Sequence, residues 1–105
     1  MSEKTYTFKL FKDVINEYYA SKEEFTPRQV RRRMQVLSDL RNKPLSPAWK
    51  TTVTSSYFNQ ARVAGYITRV KEGTYVATKK FDLLYPLSKL TQETKQVYFR
   101  RNYES

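Results

Sequence analysis

SPAWKTTVTSSYFNQARVAGYITRVKEGTYVAT, residues 46–78, carries the pattern that decides the fold. It reads as a helix, a glycine stop and a two-stranded hairpin. Ser46 is a candidate N-cap, and Pro47 suits the first helical position. Val53, Tyr57, Phe58, Ala61 and Ala64 recur at three- and four-residue spacing, which predicts one buried helix face over residues 47–64. Gly65 follows, where a left-handed residue costs least. Residues 66–71 and 74–78 are rich in β-branched and aromatic side chains and are joined through Glu72-Gly73, a hairpin signal. Ile67, Val70, Tyr75 and Ala77 are the candidates to face inward. Period two cannot bring all four to one side of a flat ribbon, so a twist or bulge near the turn is expected.

Opposite the apolar stripe of this helix lie Lys50, Thr51, Thr52, Ser55, Ser56, Asn59 and Arg62, with Gln60 near the boundary. Hydroxyls suit phosphate oxygens, an amide can pair with the adenine edge, and Arg or Lys with guanine. Ser and Thr are mediocre helix formers, so a purely structural face would more often carry Glu, Lys and Ala. Trp49 either covers the end of the core or stacks on a sugar or base.

Upstream, residues 7–21 predict a first helix with Phe11, Val14, Ile15 and Tyr18 on its buried face, Phe8 leading in and Tyr19 beside it. Thr26-Pro27 opens a second helix, with Val30, Met34 and Leu37 as its buried stripe. Arg28, Arg31, Arg32 and Arg33 crowd its first turns. Their mutual repulsion costs a few tenths of a kcal/mol, roughly, per close pair, and no acidic residue stands at the i+4 positions to offset it. A polyanion would. Residues 38–45 form the joint to the next helix, longer than a tight helix-turn-helix turn.

The chain has 105 residues, enough for one compact domain, with 20 basic and 10 acidic side chains. The excess is local. Residues 25–80 hold twelve basic and two acidic residues, whereas residues 1–24 hold four and five. A positive field focused in this way steers a polyanion to one face. No cysteine and no histidine is present, which removes disulfides, thiol chemistry and the commonest base and metal ligand. Paired carboxylates, a nucleophile–base set and a glycine-rich phosphate loop are missing too, so an enzyme is not expected, nor a metal or cofactor. No apolar run is long enough to span a bilayer, and the first residues do not form a signal peptide; an intracellular protein is expected.

Residues 81–105 begin with an apolar patch ended by Pro86, followed by a helical pattern over residues 91–103. They are expected to form a C-terminal extension to a domain of residues 1–80. The extension either packs back on the first helix or joins two copies through Val97, Tyr98 and Phe99.

Thr26-Pro27-x-x-Val30, Tyr57-Phe58-x-x-Ala61, the step Ala64-Gly65-Tyr66-Ile67, and Gly73 followed by Tyr75 together resemble winged helix-turn-helix DNA-binding domains. The composition is also similar to that of small regulators encoded by viruses and phages. The resemblance implies an α+β, mainly α fold of three helices plus a β-hairpin wing. It implies a short strand near Phe25 pairing with the hairpin. It further implies a transcription regulator bound to double-stranded DNA, with the third helix in the major groove. Arg28, Arg31 and Arg32 would hold the backbone. Lys50, Thr51, Thr52, Ser55, Ser56, Asn59 and Arg62 would form the reading face, and Arg69 and Lys71 the wing contacts. Two other functions stay open: a protein-interaction module in a nucleic-acid-processing assembly, and an RNA or single-strand binder using Tyr66 and Tyr75.

Overall fold

The structure is a computed structural model describing residues 3–83. It is a small, mainly helical α+β domain with three helices and a two-stranded antiparallel hairpin. Helix α1 is Glu3–Ser21 and α2 is Pro27–Arg41. The third helix, α3, runs over residues 49–63 in three consecutive pieces. They are an α turn Trp49–Thr51, a π turn Thr52–Tyr57 and an α segment Phe58–Val63. Strands β1, Ile67–Lys71, and β2, Thr74–Ala77, form the hairpin.

Helix α2 starts where Thr26-Pro27 predicts. Thr26 is extended, its hydroxyl accepts from the Gln29 amide (3.2 Å), and the Gln29 side chain accepts from the Thr26 amide (2.9 Å). This reciprocal capping box satisfies two backbone donors that the first turn leaves open. Asn42, left-handed at φ 51°, ends the helix, with bonds from Asn42 N to Asp39 O and from Lys43 N to Ser38 O. Helix α3 closes in the same way at Gly65 (φ 83°), with Gly65 N on Arg62 O and Tyr66 N on Ala61 O.

The start of α3 departs from expectation. Ser46 does not cap it. It is buried, its amide donates to the Thr7 hydroxyl of α1 (3.0 Å), and its own hydroxyl accepts from Thr7 (3.1 Å). Pro47 and Ala48 form a turn, and Ala48, left-handed at φ 58°, precedes the helix without a side-chain cap. The joint therefore falls later than residues 38–45, between Arg41 and Trp49, and it is pinned at both ends. Ser38 donates to the Lys43 carbonyl, and Ser46 is tied to α1.

The core is strongly aromatic. Phe8 meets Tyr57 edge-on at 5.0 Å, Phe11 meets Phe81 at 5.8 Å and 87°, and Tyr66 stacks on Phe81 at 4.4 Å. Such pairs add about 0.5–1.5 kcal/mol each beyond their burial. Phe81 and Leu83 are buried in this core, and Asn16 of α1 clips the Phe81 backbone by accepting from its amide (2.7 Å) and donating to its carbonyl (3.1 Å). Val97, Tyr98, Phe99 and the rest of the C-terminal extension lie outside the described residues.

Phe25, also buried, exchanges both backbone hydrogen bonds with Tyr75 (2.9 and 2.8 Å), so the segment between α1 and α2 adds a bridge to β2. The hairpin pairs Ile67 with Ala77 and Arg69 with Tyr75, then shifts register so that Lys71 opposes Thr74. That irregularity is the bulge near the turn. Ile67, Tyr75 and Ala77 pack on the core. Val70 does not: it is 46% exposed. It stands an odd number of residues from Ile67, and the bulge falls at Val70 itself, too late to turn it inward.

Candidate nucleic-acid interface

Positions 28, 31, 32 and 35 follow the i, i+3, i+4, i+7 spacing of one helical face. On α2 they present Arg28, Arg31, Arg32 and Gln35 along one wall of a groove of about 350 Å³, and Trp49 and Lys50 at the start of α3 complete its lining. Arg31 crosses to α3 by donating from Nη1 to the hydroxyl of Thr54. The arginine face of α2 thus meets the start of α3 at Trp49, Lys50 and Thr54.

The arginines divide by partner. Arg33 makes a two-pronged pair with Glu17 of α1, with both N–O distances 3.0 Å. The hydrogen bond to Glu17, and then its charge, raise the Arg33 pKa further above its ordinary value. Arg41 reaches Asp13 at 3.6 Å. Both pairs are exposed and contribute little stability, but they spend two cations on α1. Among the described residues no carboxylate pairs with Arg28, Arg31, Arg32 or Lys50. Gln35 donates to Asp39 one turn on (2.9 Å), the nearest acidic group along that stripe.

On α3, Thr51, Ser55, Asn59 and Arg62 are exposed, and Thr52 and Ser56 are half-buried. Ser55 donates to the Thr51 carbonyl (2.7 Å). A hydroxyl competing for a ladder acceptor disturbs a regular helix, and it sits inside the π turn. Asn59 accepts from the Arg62 guanidinium at 2.9 Å, which orients both side chains. Ser56 accepts from Gln60 (2.7 Å), and Gln60 is buried, so the boundary residue belongs to the support rather than the face. Arg69 and Lys71 are exposed on β1, apart from the α2–α3 groove.

Trp49 is partly buried against the core, as one of its two expected roles requires, and its ring also lines the groove. The Lys50 ammonium lies 5.9 Å from the indole centroid. Of Tyr66 and Tyr75, the candidates for a single-strand platform, Tyr66 is buried in the core and Tyr75 packs partly buried against it. Tyr66 stacks on Phe81, and Tyr75 packs against Phe58 at 5.1 Å. Two members of the surface left no separate mark in the sequence reading. Thr54 is one hydroxyl in a run of five Thr and Ser, and Gln35 is the polar end of the arginine stripe, detectable only by its spacing.

Among the described residues there is no group of three His, Cys, Asp or Glu side chains placed to hold a metal ion, and no helix long and apolar enough to cross a membrane. Comparison with known proteins finds no matching family model, no similar curated protein and no matching solved structure.

Proposed function

We propose that this chain is a winged helix-turn-helix protein that binds double-stranded DNA as a transcription regulator. The order helix, bridging segment, helix, helix, hairpin supports the fold reading, and the Phe25–Tyr75 bridge supports it most directly. One observation carries the function: Arg28, Arg31, Arg32 and Lys50, with no carboxylate partner among the described residues, line one groove where α2 meets the start of α3. In this reading α3 enters the major groove with Asn59 and Arg62 towards base edges, and Thr51, Thr52, Ser55 and Ser56 lie along its wall. The α2 arginines hold one strand's phosphates, and Arg69 and Lys71 on the hairpin hold the flank. Phosphate contacts position the protein and base contacts select the site.

The test is duplex binding over a series of salt concentrations. Contact with ~5–7 phosphates gives a log–log slope of about −5 to −6. A flat salt response rejects the proposal. Selection of duplexes from a random pool then yields the site, and a two-fold symmetric motif would indicate two copies on the DNA.

A further inference from the structure

The groove between α2 and α3 offers more than duplex phosphates need. A phosphate contact on a helical surface requires cations. This groove sets three guanidiniums and an ammonium around a half-buried indole, with an amide at the far end. Its volume, about 350 Å³, falls at the small end of ligand pockets, the size of one nucleotide rather than a larger cofactor. The chemistry is paired in the same sense. Guanidiniums bind phosphate oxygens by two-pronged charge-assisted bonds, and an indole face stacks on any base. Lys50, 5.9 Å from the ring centroid, brings charge and ring to the same spot. Arg31 is already oriented by Thr54, whereas Arg28 and Arg32 are exposed and able to close on an anion. The one acidic residue of α2, Asp39, is engaged by Gln35 and lines the neighbouring hollow, not this one.

We propose that the α2–α3 groove binds a single unstacked nucleotide, its phosphate held by Arg28, Arg31, Arg32 and Lys50 and its base laid against Trp49. The nucleotide is either free in solution or an unpaired residue of a DNA strand; the recognising chemistry is the same. The site goes beyond duplex binding and stands without it.

Trp49 is the only tryptophan of the chain, so its emission reports the groove directly. The full chain is titrated with AMP, a single-stranded oligothymidylate, adenosine and inorganic phosphate. Saturable quenching by AMP identifies a free nucleotide as a ligand. Saturation by the oligothymidylate alone identifies an unpaired strand residue. Either supports the site, with adenosine and phosphate weaker by about tenfold. Equal affinity for AMP and adenosine, or no response to AMP and strand alike, overturns it. Arg32→Ala keeps the reporter and is expected to weaken binding about tenfold. Trp49→Phe and Trp49→Leu, both checked for native helix content, are compared by equilibrium dialysis of the ligand that saturates. Phe retains binding and Leu loses about tenfold; an unchanged Leu variant overturns the stacking. Anisotropy of a labelled blunt duplex on the same samples separates the two readings. Intact duplex binding with a silent groove rejects only the nucleotide site, and the reverse rejects only the duplex reading.

Discussion

Arg31 of α2 donates from Nη1 to the hydroxyl of Thr54 in the π turn of α3, which ties the basic helix to the polar one. The bond orients a guanidinium without neutralising it. Its charge stays available to an anion, and its direction is fixed before the anion arrives. Ordering a long side chain beforehand removes part of the cost of binding.

Arg31→Ala is therefore expected to weaken binding to all duplexes alike and to reduce the salt slope by about 1. Asn59→Ala is expected to act differently, relaxing preference for the selected site by about 1–3 kcal/mol while leaving random-sequence binding nearly unchanged. Parallel titrations on selected and random duplexes check both. Identical behaviour of the two variants would remove Asn59 from the reading face.

Phe25 joins the hairpin to the helices twice, by its backbone bridge to Tyr75 and by its ring, which stacks at 4.7 Å on Tyr18 and lies 6.1 Å from Phe58. Phe25→Ala is expected to cost about 3–5 kcal/mol, from lost burial and the cavity left behind. That is a large part of the ~5–15 kcal/mol typical of a domain. Urea unfolding measures it. A cost below about 1 kcal/mol would mean that the segment is only loosely attached.

The Asn16 clip on Phe81 holds the chain after β2 against α1. Asn16→Ala removes a donor and an acceptor from two partly buried backbone groups, at an expected cost of about 2 kcal/mol. Asn16→Asp keeps the acceptor for the Phe81 amide but sets a carboxylate oxygen against the Phe81 carbonyl, and is expected to cost at least as much. Urea midpoints of the two variants measure both costs, and an unchanged midpoint for either would contradict the bonding pattern.

Tyr66 donates its phenol proton to Asp82, and this bond is the main reason the Asp82 carboxyl sits below its ordinary pKa of 3.8. Desolvation opposes it, and backbone hydrogen bonding and then the charges of Lys79 and Lys12 add to the lowering. A carboxyl lowered in the folded state stabilises it above the ordinary value of 3.8, and the contribution is lost as pH falls through the lowered value. Tyr66→Phe is expected to bring Asp82 back towards 3.8 and to flatten the acid limb of the stability curve. Carboxyl titration by NMR reads the first effect and urea unfolding below about pH 4 the second.

What could be read from the sequence was what local chemistry fixes. Thr26-Pro27 marks the start of α2, Gly65 the end of α3, and the apolar spacing their buried faces, because caps and periodicity act within one or two turns. The arginine stripe was legible for the same reason. What escaped depends on distant partners. Ser46 has every local mark of a cap, yet Thr7, thirty-nine residues away, takes its amide and meets its hydroxyl. Asn16 reads as a solvent-facing residue until Phe81 returns to it across sixty-five residues. Arg33 crowds the same turns as its neighbours, but its pairing with Glu17 depends on a residue sixteen positions back. The π turn left no periodic trace, since Val53, Tyr57 and Phe58 fit an α-helical stripe equally well.

Ala48 marks the cost of that displaced cap. With Ser46 committed to α1, the chain enters α3 through a left-handed alanine at φ 58°. That conformation costs an L-residue about 1–2 kcal/mol. Glycine adopts it freely but loses about 0.4–1 kcal/mol more on folding, through its looser unfolded state. Ala48 is exposed, so no packing is lost on removing its methyl. Ala48→Gly is thus expected to raise stability by about 0.5–1 kcal/mol. Ala48→Val, whose branched Cβ tolerates this region least, is expected to lower it by more than about 1 kcal/mol. Neither change touches a cation or a polar group of the interface, so duplex affinity should follow wild type in both folded variants. Urea midpoints together with one binding curve for each check this. If Ala48→Gly destabilises the protein, residues 47–48 do not form the left-handed entry that positions Trp49.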